Sequence, residues 1–350
     1  MQHDLDVEKL PHLNGGRRQW WDIAEKRVIS SATAYIQYGC PDWGETNGER
    51  NALCQFCGFP NGVRIYRDRY YGGGSIPTED HLRLFEKTLR VLEREGAIHT
   101  LMIFNAGSFT AMPLALQESL LRASLTVQGL RRVVIESRAP LITEPLIESL
   151  ARITQAAGVL LSVRIGIETK DDQLRLKVLK KGHSRAQLRA ASVLLREHGV
   201  TSGGYVMLKP APGLDPAWSV QESIDTIEWI LGDDGLGMDE VYLGPTCVSP
   251  DTPLSRHWDA GDFTPPSLWN VYDVLTATAG RFPGRVHLLM FKDEPPFVAV
   301  PSNHVPRGLP QSLEGSDGCD AEFHAMLDDY RARMDTGALR EIACSCRKKP

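Results

Sequence analysis

Between about residue 30 and residue 250 the chain alternates short β-rich runs with amphipathic helical stretches, and no other feature constrains its fold as tightly. The β-rich runs fall at 33–37, 99–104, 132–136, 161–168, 203–208 and 240–243. A helix between the first two takes Thr78 as its N-cap, repeats Leu82, Phe85, Leu89 and Leu92 at helical spacing and ends at Gly96. Later helices open at Thr143, Ser184 and Ser219, with Leu146, Leu150 and Ile153, then Leu188, Ala191 and Leu195, then Ile224, Ile227 and Ile230 as their apolar faces. Strands alternating with helices imply an α/β fold with a parallel sheet and right-handed crossovers. Six such units suit either a doubly wound sheet or an incomplete barrel, and periodicity does not separate the two.

The flanks are less regular. Residues 1–29 read as an N-terminal extension, in which Trp20 and Trp21 are packing anchors. Residues 251–350 are proline-rich, from Pro253 and Pro265 through Pro295, Pro296, Pro306 and Pro310, and read as a C-terminal extension with one helix over 320–333. Gly72-Gly73-Gly74 follows no strand directly and reads as a turn rather than a phosphate loop.

Composition narrows the class. The net charge is -5 over 350 residues, unlike the broad basic surface that nucleic-acid binding favours, although Lys177, Lys180 and Lys181 form a local basic patch. No uncharged apolar run reaches bilayer length, so a membrane-spanning chain is not expected. The acidic start lacks the apolar core of a secretion signal. Seven cysteines without such a signal point to the cytoplasm, and to ligands or thiols rather than disulfides.

In a parallel α/β array the carboxyl ends of the strands form the working face. Here they carry Cys40, then Asn105-Ala106-Gly107-Ser108, Glu136-Ser137-Arg138, Gly166-Ile167-Glu168-Thr169, Lys209-Pro210 and Pro245-Thr246-Cys247. Any one of these reads equally well as a helix cap or a solvated loop, and Glu136 and Arg138 could simply pair with each other. Taken together they describe a polar, charged pocket for a zwitterionic ligand. Cys247 alone reads as a small buried residue.

Cys40, Cys54 and Cys57 follow the first strand. Clustered thiolates suit zinc or an iron–sulfur cluster. A structural zinc site needs a fourth ligand, and no histidine or cysteine lies between Cys57 and His81, which leaves zinc dependent on a distant residue. A [4Fe–4S] cluster with three thiolates and one open iron fits the triplet better. Near the other end, Cys319, Cys344 and Cys346, with His304 or His324, form a candidate second metal site, against the reading of simple surface thiols.

The Cys54-Gln55-Phe56-Cys57 segment resembles the second half of the radical SAM signature, in which an aromatic residue precedes the last cysteine. Thirteen residues separate Cys40 from Cys54, where the usual motif has three, and long spacings mark only a few branches. Ile135-Glu136-Ser137-Arg138, Leu141-Ile142-Thr143-Glu144, Ile165-Gly166-Ile167-Glu168-Thr169, Lys180-Lys181-Gly182 and Tyr205-Val206-Met207-Leu208-Lys209-Pro210 are similar to the elongator-catalytic-subunit-like radical SAM proteins. Within that branch the resemblance runs to the radical SAM subunits of archaeosine synthase, tRNA-nucleoside lyases. It covers roughly 30–250, and the Cys344-Ser345-Cys346 tail also fits.

The resemblance implies a partial (β/α)6 barrel with a C-terminal extension. It implies a [4Fe–4S] cluster on Cys40, Cys54 and Cys57, reductive cleavage of S-adenosylmethionine, and a 5′-deoxyadenosyl radical that abstracts hydrogen from a substrate. It would place Phe56 and Gly166 near the adenine, Asn105 and Ser108 near the methionyl amino group, and Glu136 and Ser137 near the ribose hydroxyls or that amino group. Arg138 would meet the methionyl carboxylate, while Glu168 and Lys209 would face the substrate or cofactor as catalytic residues. A reductant such as flavodoxin or ferredoxin follows, with zinc as the candidate metal of the tail. The acidic charge favours a small-molecule substrate of amino-acid or natural-product type. A tRNA-linked nucleoside is the alternative, and a non-catalytic zinc- or cluster-binding module is the reading from another class.

Overall fold

The computed structural model describes residues 7–40, 44–46, 49–51, 54–289, 297–304 and 319–347. The start of the N-terminal extension and Pro295, Pro296, Pro306 and Pro310 of the C-terminal one lie outside the described residues. The chain opens with a hairpin of β1 (Asn14–Asp22) and β2 (Arg27–Tyr35), followed by a small hairpin of β3 (Gly44–Thr46) and β4 (Glu49–Asn51). Helices α1 (Phe59–Tyr71) and α2 (Thr78–Arg94) lead to β5 (Thr100–Phe104), α3 (Leu114–Ser124) and β6 (Arg132–Ser137). The alternation continues through α4 (Glu144–Ala156), β7 (Leu160–Glu168), α5 (Arg185–Glu197), β8 (Thr201–Leu208), α6 (Pro216–Leu231) and β9 (Glu240–Pro245). Helices α7 (Pro253–Asp259) and α8 (Leu268–Thr278), strand β10 (Val286–Leu288) and helix α9 (Asp320–Arg333) complete it.

The sheet order β1-β2-β5-β6-β7-β8-β9-β10 decides between the two architectures left open by the sequence. From β2 to β10 every neighbour is parallel and every step moves one place in the same direction. A doubly wound sheet would reverse direction at a switch point. This one winds singly and curls into a partial (β/α)6 barrel, with β10 beyond the six expected strands and β1 antiparallel at the other edge. The two edge strands meet through side chains: the Trp20 ring of β1 stacks on His287 of β10 with centroids 5.0 Å apart.

Local signals account for most of the helices. Ser184 caps α5 by accepting the Gln187 backbone N–H at 3.2 Å, and Gln187 returns a bond to the Ser184 N–H at 2.9 Å. Helix α6 begins at Pro216, earlier than Ser219, because Asp215 accepts the Trp218 N–H at 2.9 Å and Pro216 suits a first helical position. Gly72 ends α1 in the left-handed conformation, with a φ of 56°. The helices cover the outside of the sheet, and the apolar residues of both form one continuous core. Among the described residues, no helix is long and apolar enough to cross a membrane.

The inner face is charged instead. Buried Arg132 of β6 reaches Asp22 of β1 at 3.2 Å and Glu240 of β9 at 3.4 Å, so one guanidinium ties strands from opposite sides of the barrel floor. Burial alone would raise the Glu240 carboxyl, but His287 at 3.7 Å and Arg132 outweigh it and hold the pKa at about 2 rather than 4.5. Glu240 therefore stabilises the fold fully above about pH 4.5, and that contribution drains away as pH falls toward 2. Replacing Arg132 with Met takes the guanidinium from two buried carboxylates, leaving Asp22 with backbone N–H donors alone and Glu240 with His287 and Tyr242, and should cost about 3–5 kcal/mol in urea unfolding at neutral pH. A loss under about 1 kcal/mol would show that Arg132 does not pair with these carboxylates across the floor.

Candidate functional site

Three backbone devices bring the cysteine triplet to the carboxyl ends of the strands. After β2 the ladder continues, with Ile36 N–H bonding Phe104 O at 2.7 Å. Asn105 then clamps the next turn: its Oδ1 accepts from Gly39 N–H at 3.3 Å, while Nδ2 donates to Gly39 O at 3.2 Å and Ser108 O at 2.8 Å. Gly107 completes the fit, because a Cβ there would lie 2.8 Å from both Cys40 Cα and Gly39 O. Cys40 is thereby fixed against the end of β5.

Cys54 and Cys57 share a tight turn. Cys57 N–H bonds Cys54 O at 3.0 Å, Cys54 adopts a left-handed φ of 58°, and its N–H is held by Leu179 O at 3.1 Å. That carbonyl belongs to a loop organised by Arg175, which is fully buried and donates to Thr169 O at 2.8 Å and His183 O at 3.1 Å. The same loop carries Lys181, read from sequence as part of a surface basic patch. Lys181 is instead buried, 2.8 Å from Glu168 Oε1, and turned inward toward the thiols. Burial disfavours its ammonium, but Cys54 and Glu168 more than compensate and keep it charged.

All three thiols line one cavity of about 370 Å³ at this end of the barrel. Burial pushes the Cys57 thiol up to about 12 and raises that of Cys54 despite the Lys181 charge. Such sulfurs keep their protons unless a metal replaces them. Lys181, Arg138 and the Phe59 backbone N–H beside Cys57 are suited to the negative charge of a thiolate-bound cluster. The donor set and its electrostatics thus fit an iron–sulfur cluster.

The cavity also gathers Phe56, Ser108, Glu136, Ser137, Arg138, Gly166 and Glu168. Arg138 is half-buried and donates to Lys181 O at 2.8 Å, and Ser137 Oγ pairs with Thr110 Oγ1 at 2.5 Å. Burial raises the Glu136 carboxyl, whose Oε1 accepts a hydrogen bond from the Tyr205 hydroxyl. Glu168 sits at a register shift with a left-handed φ of 69°. A Cβ on Gly166 would come within 2.8 Å of Lys181 Nζ and 2.9 Å of Glu168 Oε1, so this position gives the ion pair its room.

Two expected site residues do not line the cavity. The Asn105 amide is spent on Gly39 and Ser108, as described above. Lys209 points into a neighbouring cleft beside Trp218 and Glu222, where Nζ donates to Thr264 Oγ1 at 3.2 Å. Sequence reasoning missed Arg164, Tyr205 and Tyr242 as inward-facing groups. Their signal was the two-residue period running down from Glu168 on β7, from Met207 on β8 and from Gly244 on β9. Cys247 is buried, as expected, and also touches the cavity.

The tail forms a second cluster. The ligand atoms of His304, Cys319, Cys344 and Cys346 all lie within 4.8 Å of one another, and this group includes His304 rather than His324. Two N–H groups point at its sulfurs: Trp269 Nε1 at Cys346 and Asn303 Nδ2 at Cys319, each at 3.4 Å.

No protein-family profile matches the chain. It is similar to archaeosine synthase subunit beta of Methanosarcina acetivorans, 23% identical over 316 residues that make up 89% of this chain and 80% of that one. It is also similar to archaeosine synthase subunit beta of Thermococcus kodakarensis, 26% identical over 161 residues, 45% of this chain and 47% of that one. Among solved structures, the archaeal Methanocaldococcus infernus Elp3 superposes with a TM-score of 0.47 at 19% identity, over 59% of this chain and 51% of that one. The radical S-adenosylmethionine methyltransferase TsrM of Kitasatospora setae gives 0.41 at 16% identity, over 71% and 41%. The chain thus spans about half or less of the length of these two structures. The cysteine triplet, the strand-end motifs and the sequence relatedness along most of the chain together support a place in the radical SAM superfamily, in its elongator-catalytic-subunit-like branch.

Proposed function

We propose that this chain is a radical SAM enzyme that acts on a small substrate held inside its barrel. The observation that carries the reading is the opening of all three thiols onto the same cavity as Arg138, Glu136 and the Lys181–Glu168 pair. When bound, the [4Fe–4S] cluster and S-adenosylmethionine supply reductive sulfonium cleavage and a 5′-deoxyadenosyl radical that abstracts hydrogen from the substrate.

The chain's own residues bind, orient and exclude water. Cys40, Cys54 and Cys57 would hold the cluster through their thiolates, and its open position would take the methionyl amino and carboxylate groups. Arg138 neutralises that carboxylate, with Ser108 and Ser137 within reach of the amino group or ribose and Phe56 beside the adenine. Lys181 offsets the negative charge of the thiolates, and Glu168 holds Lys181 in place. Asn105 acts through position, fixing the turn that presents Cys40. Lys209 belongs to the cleft next door.

A second reading has its own support: the named relatives are archaeosine synthase subunits, which favours a nucleoside within tRNA as substrate. Binding of tRNA with a steep inverse dependence on salt would select that reading, and salt-independent or absent binding would select the small molecule. For the reaction itself, the anaerobically reconstituted protein should form 5′-deoxyadenosine on reduction with dithionite. Cys57→Ala should lose the cluster's visible absorbance and the product together. Undiminished product from that variant would contradict the reading, as would a wild-type protein that holds its cluster and never cleaves S-adenosylmethionine.

We assign the tail cluster to zinc, with three sulfurs and one imidazole as a closed tetrahedral set. Purified protein should contain zinc in addition to iron. Cys346→Ser should lose the zinc and keep the iron, whereas Cys57→Ala should do the reverse. Zinc retained by Cys346→Ser would contradict the assignment.

A further inference from the structure

We propose that Arg164 is the anchor for a carboxylate on the substrate, so that the barrel takes an organic acid of about amino-acid size. This rests on the barrel cavity being the reaction site and deepens that reading. Arg164 projects inward from β7, is 4% exposed and lines the cavity. A guanidinium buried this far normally has a carboxylate to close on, because removing its charge from water is costly.

Arg164 has none at ion-pair distance among the described residues, although Glu240 and Glu136 act on it from farther away, and the reason is visible. Its cross-strand partner Glu136 gives Oε1 to the Tyr205 hydroxyl. Glu168, further along β7, is taken by Lys181. Glu240 and Asp22, on the floor, are taken by Arg132. Arg18, another cation on the cavity wall, has a partner of its own. What Arg164 does have is a set of aromatic faces: Tyr242 at 3.9 Å, Trp20 at 5.3 Å and Phe104 at 5.9 Å from its Cζ. Its Nη1 meets the weak acceptor Met102 Sδ at 3.8 Å, its Nε has no hydrogen-bond partner, and the guanidinium also bonds the Tyr205 hydroxyl, a neutral oxygen that itself donates to Glu136.

Rings hold a cation in place without using its N–H donors. The guanidinium is therefore fixed and charged on the wall of a cavity, with an Nε that donates to nothing and no carboxylate at ion-pair distance among the described residues. A planar carboxylate offers two acceptor oxygens that match the guanidinium fork. Position bounds the size of the ligand: Arg164 precedes Glu168 by four residues on the same strand, at most about 13 Å at ~3.3 Å per residue, and less across the register shift between Gly166 and Glu168. That is one small-molecule length from the floor to the level of Lys181 and the thiols. The wall between is largely apolar, with Phe104, Met207 and Leu289, which suits a hydrocarbon or aromatic body above the anion.

Benzoate, and its neutral near-isostere benzamide, probe this site without any need to know the substrate. Calorimetric titration of the cluster-reconstituted full chain with S-adenosylmethionine present should show benzoate binding at least tenfold tighter than benzamide. Arg164→Gln should remove that preference and Arg164→Lys should keep part of it. Equal binding of the two ligands to wild-type protein, no benzoate binding, or an undiminished preference in a folded Arg164→Gln variant would each overturn the proposal. If Arg164→Gln does not fold, the wild-type preference and its partial retention in Arg164→Lys decide the matter. Binding requires no reduction, so failure here is distinct from failure of the proposed reaction, which appears as absent 5′-deoxyadenosine from wild-type protein.

Discussion

A parallel sheet that winds in one direction encloses its own inner face, and in this protein that face sets buried charges among apolar and aromatic side chains. Everything else follows from how those charges are matched. Arg132 ties Asp22 and Glu240 across the floor, and the Trp20–His287 stack brings the two edge strands together just there. Higher up, Glu136 takes the Tyr205 hydroxyl, and at the rim Lys181 takes Glu168. Buried pairs of this kind contribute little net stability compared with apolar packing, yet breaking one is costly. The apolar core outside the sheet holds the fold, and the inner pairs preserve a polar interior that can receive a ligand.

Most of the scaffold was legible in the sequence because it rests on local periodicity. The six central strands follow from short β-rich runs, and Ser184 announces α5 through its capping box. The edge strands were not legible, for physical reasons. β1 contains two glycines and two arginines with no apolar alternation, and β10 is three residues long. Both are strands because the curled sheet supplies their partners. Residues 33–37 were read as the first strand, whereas β2 begins at Arg27, since its early residues pair with β1 rather than with the core.

The site was legible as a set of strand ends but not as a set of contacts. Asn105 looks like a ligand-facing amide in sequence, and only the fold reveals that Gly39 and Ser108 consume it. Lys181 sits in a run of lysines that reads as solvated surface, yet a buried glutamate draws it inside. Choosing His304 over His324 required the packing of the tail against α8 and α9, which no spacing rule encodes. The two cysteine groups differ in kind: the tail has a closed set of four donors, while the barrel offers three thiols facing a cavity.

That contrast is the centre of the account, because three thiols facing a cavity leave one coordination position for a ligand. Electron paramagnetic resonance of the reduced, anaerobically reconstituted protein tests it most directly. The account predicts a [4Fe–4S] signal that shifts when S-adenosylmethionine is added and is absent from Cys57→Ala. A signal unchanged by S-adenosylmethionine, or zinc in place of iron on the triplet, would contradict it.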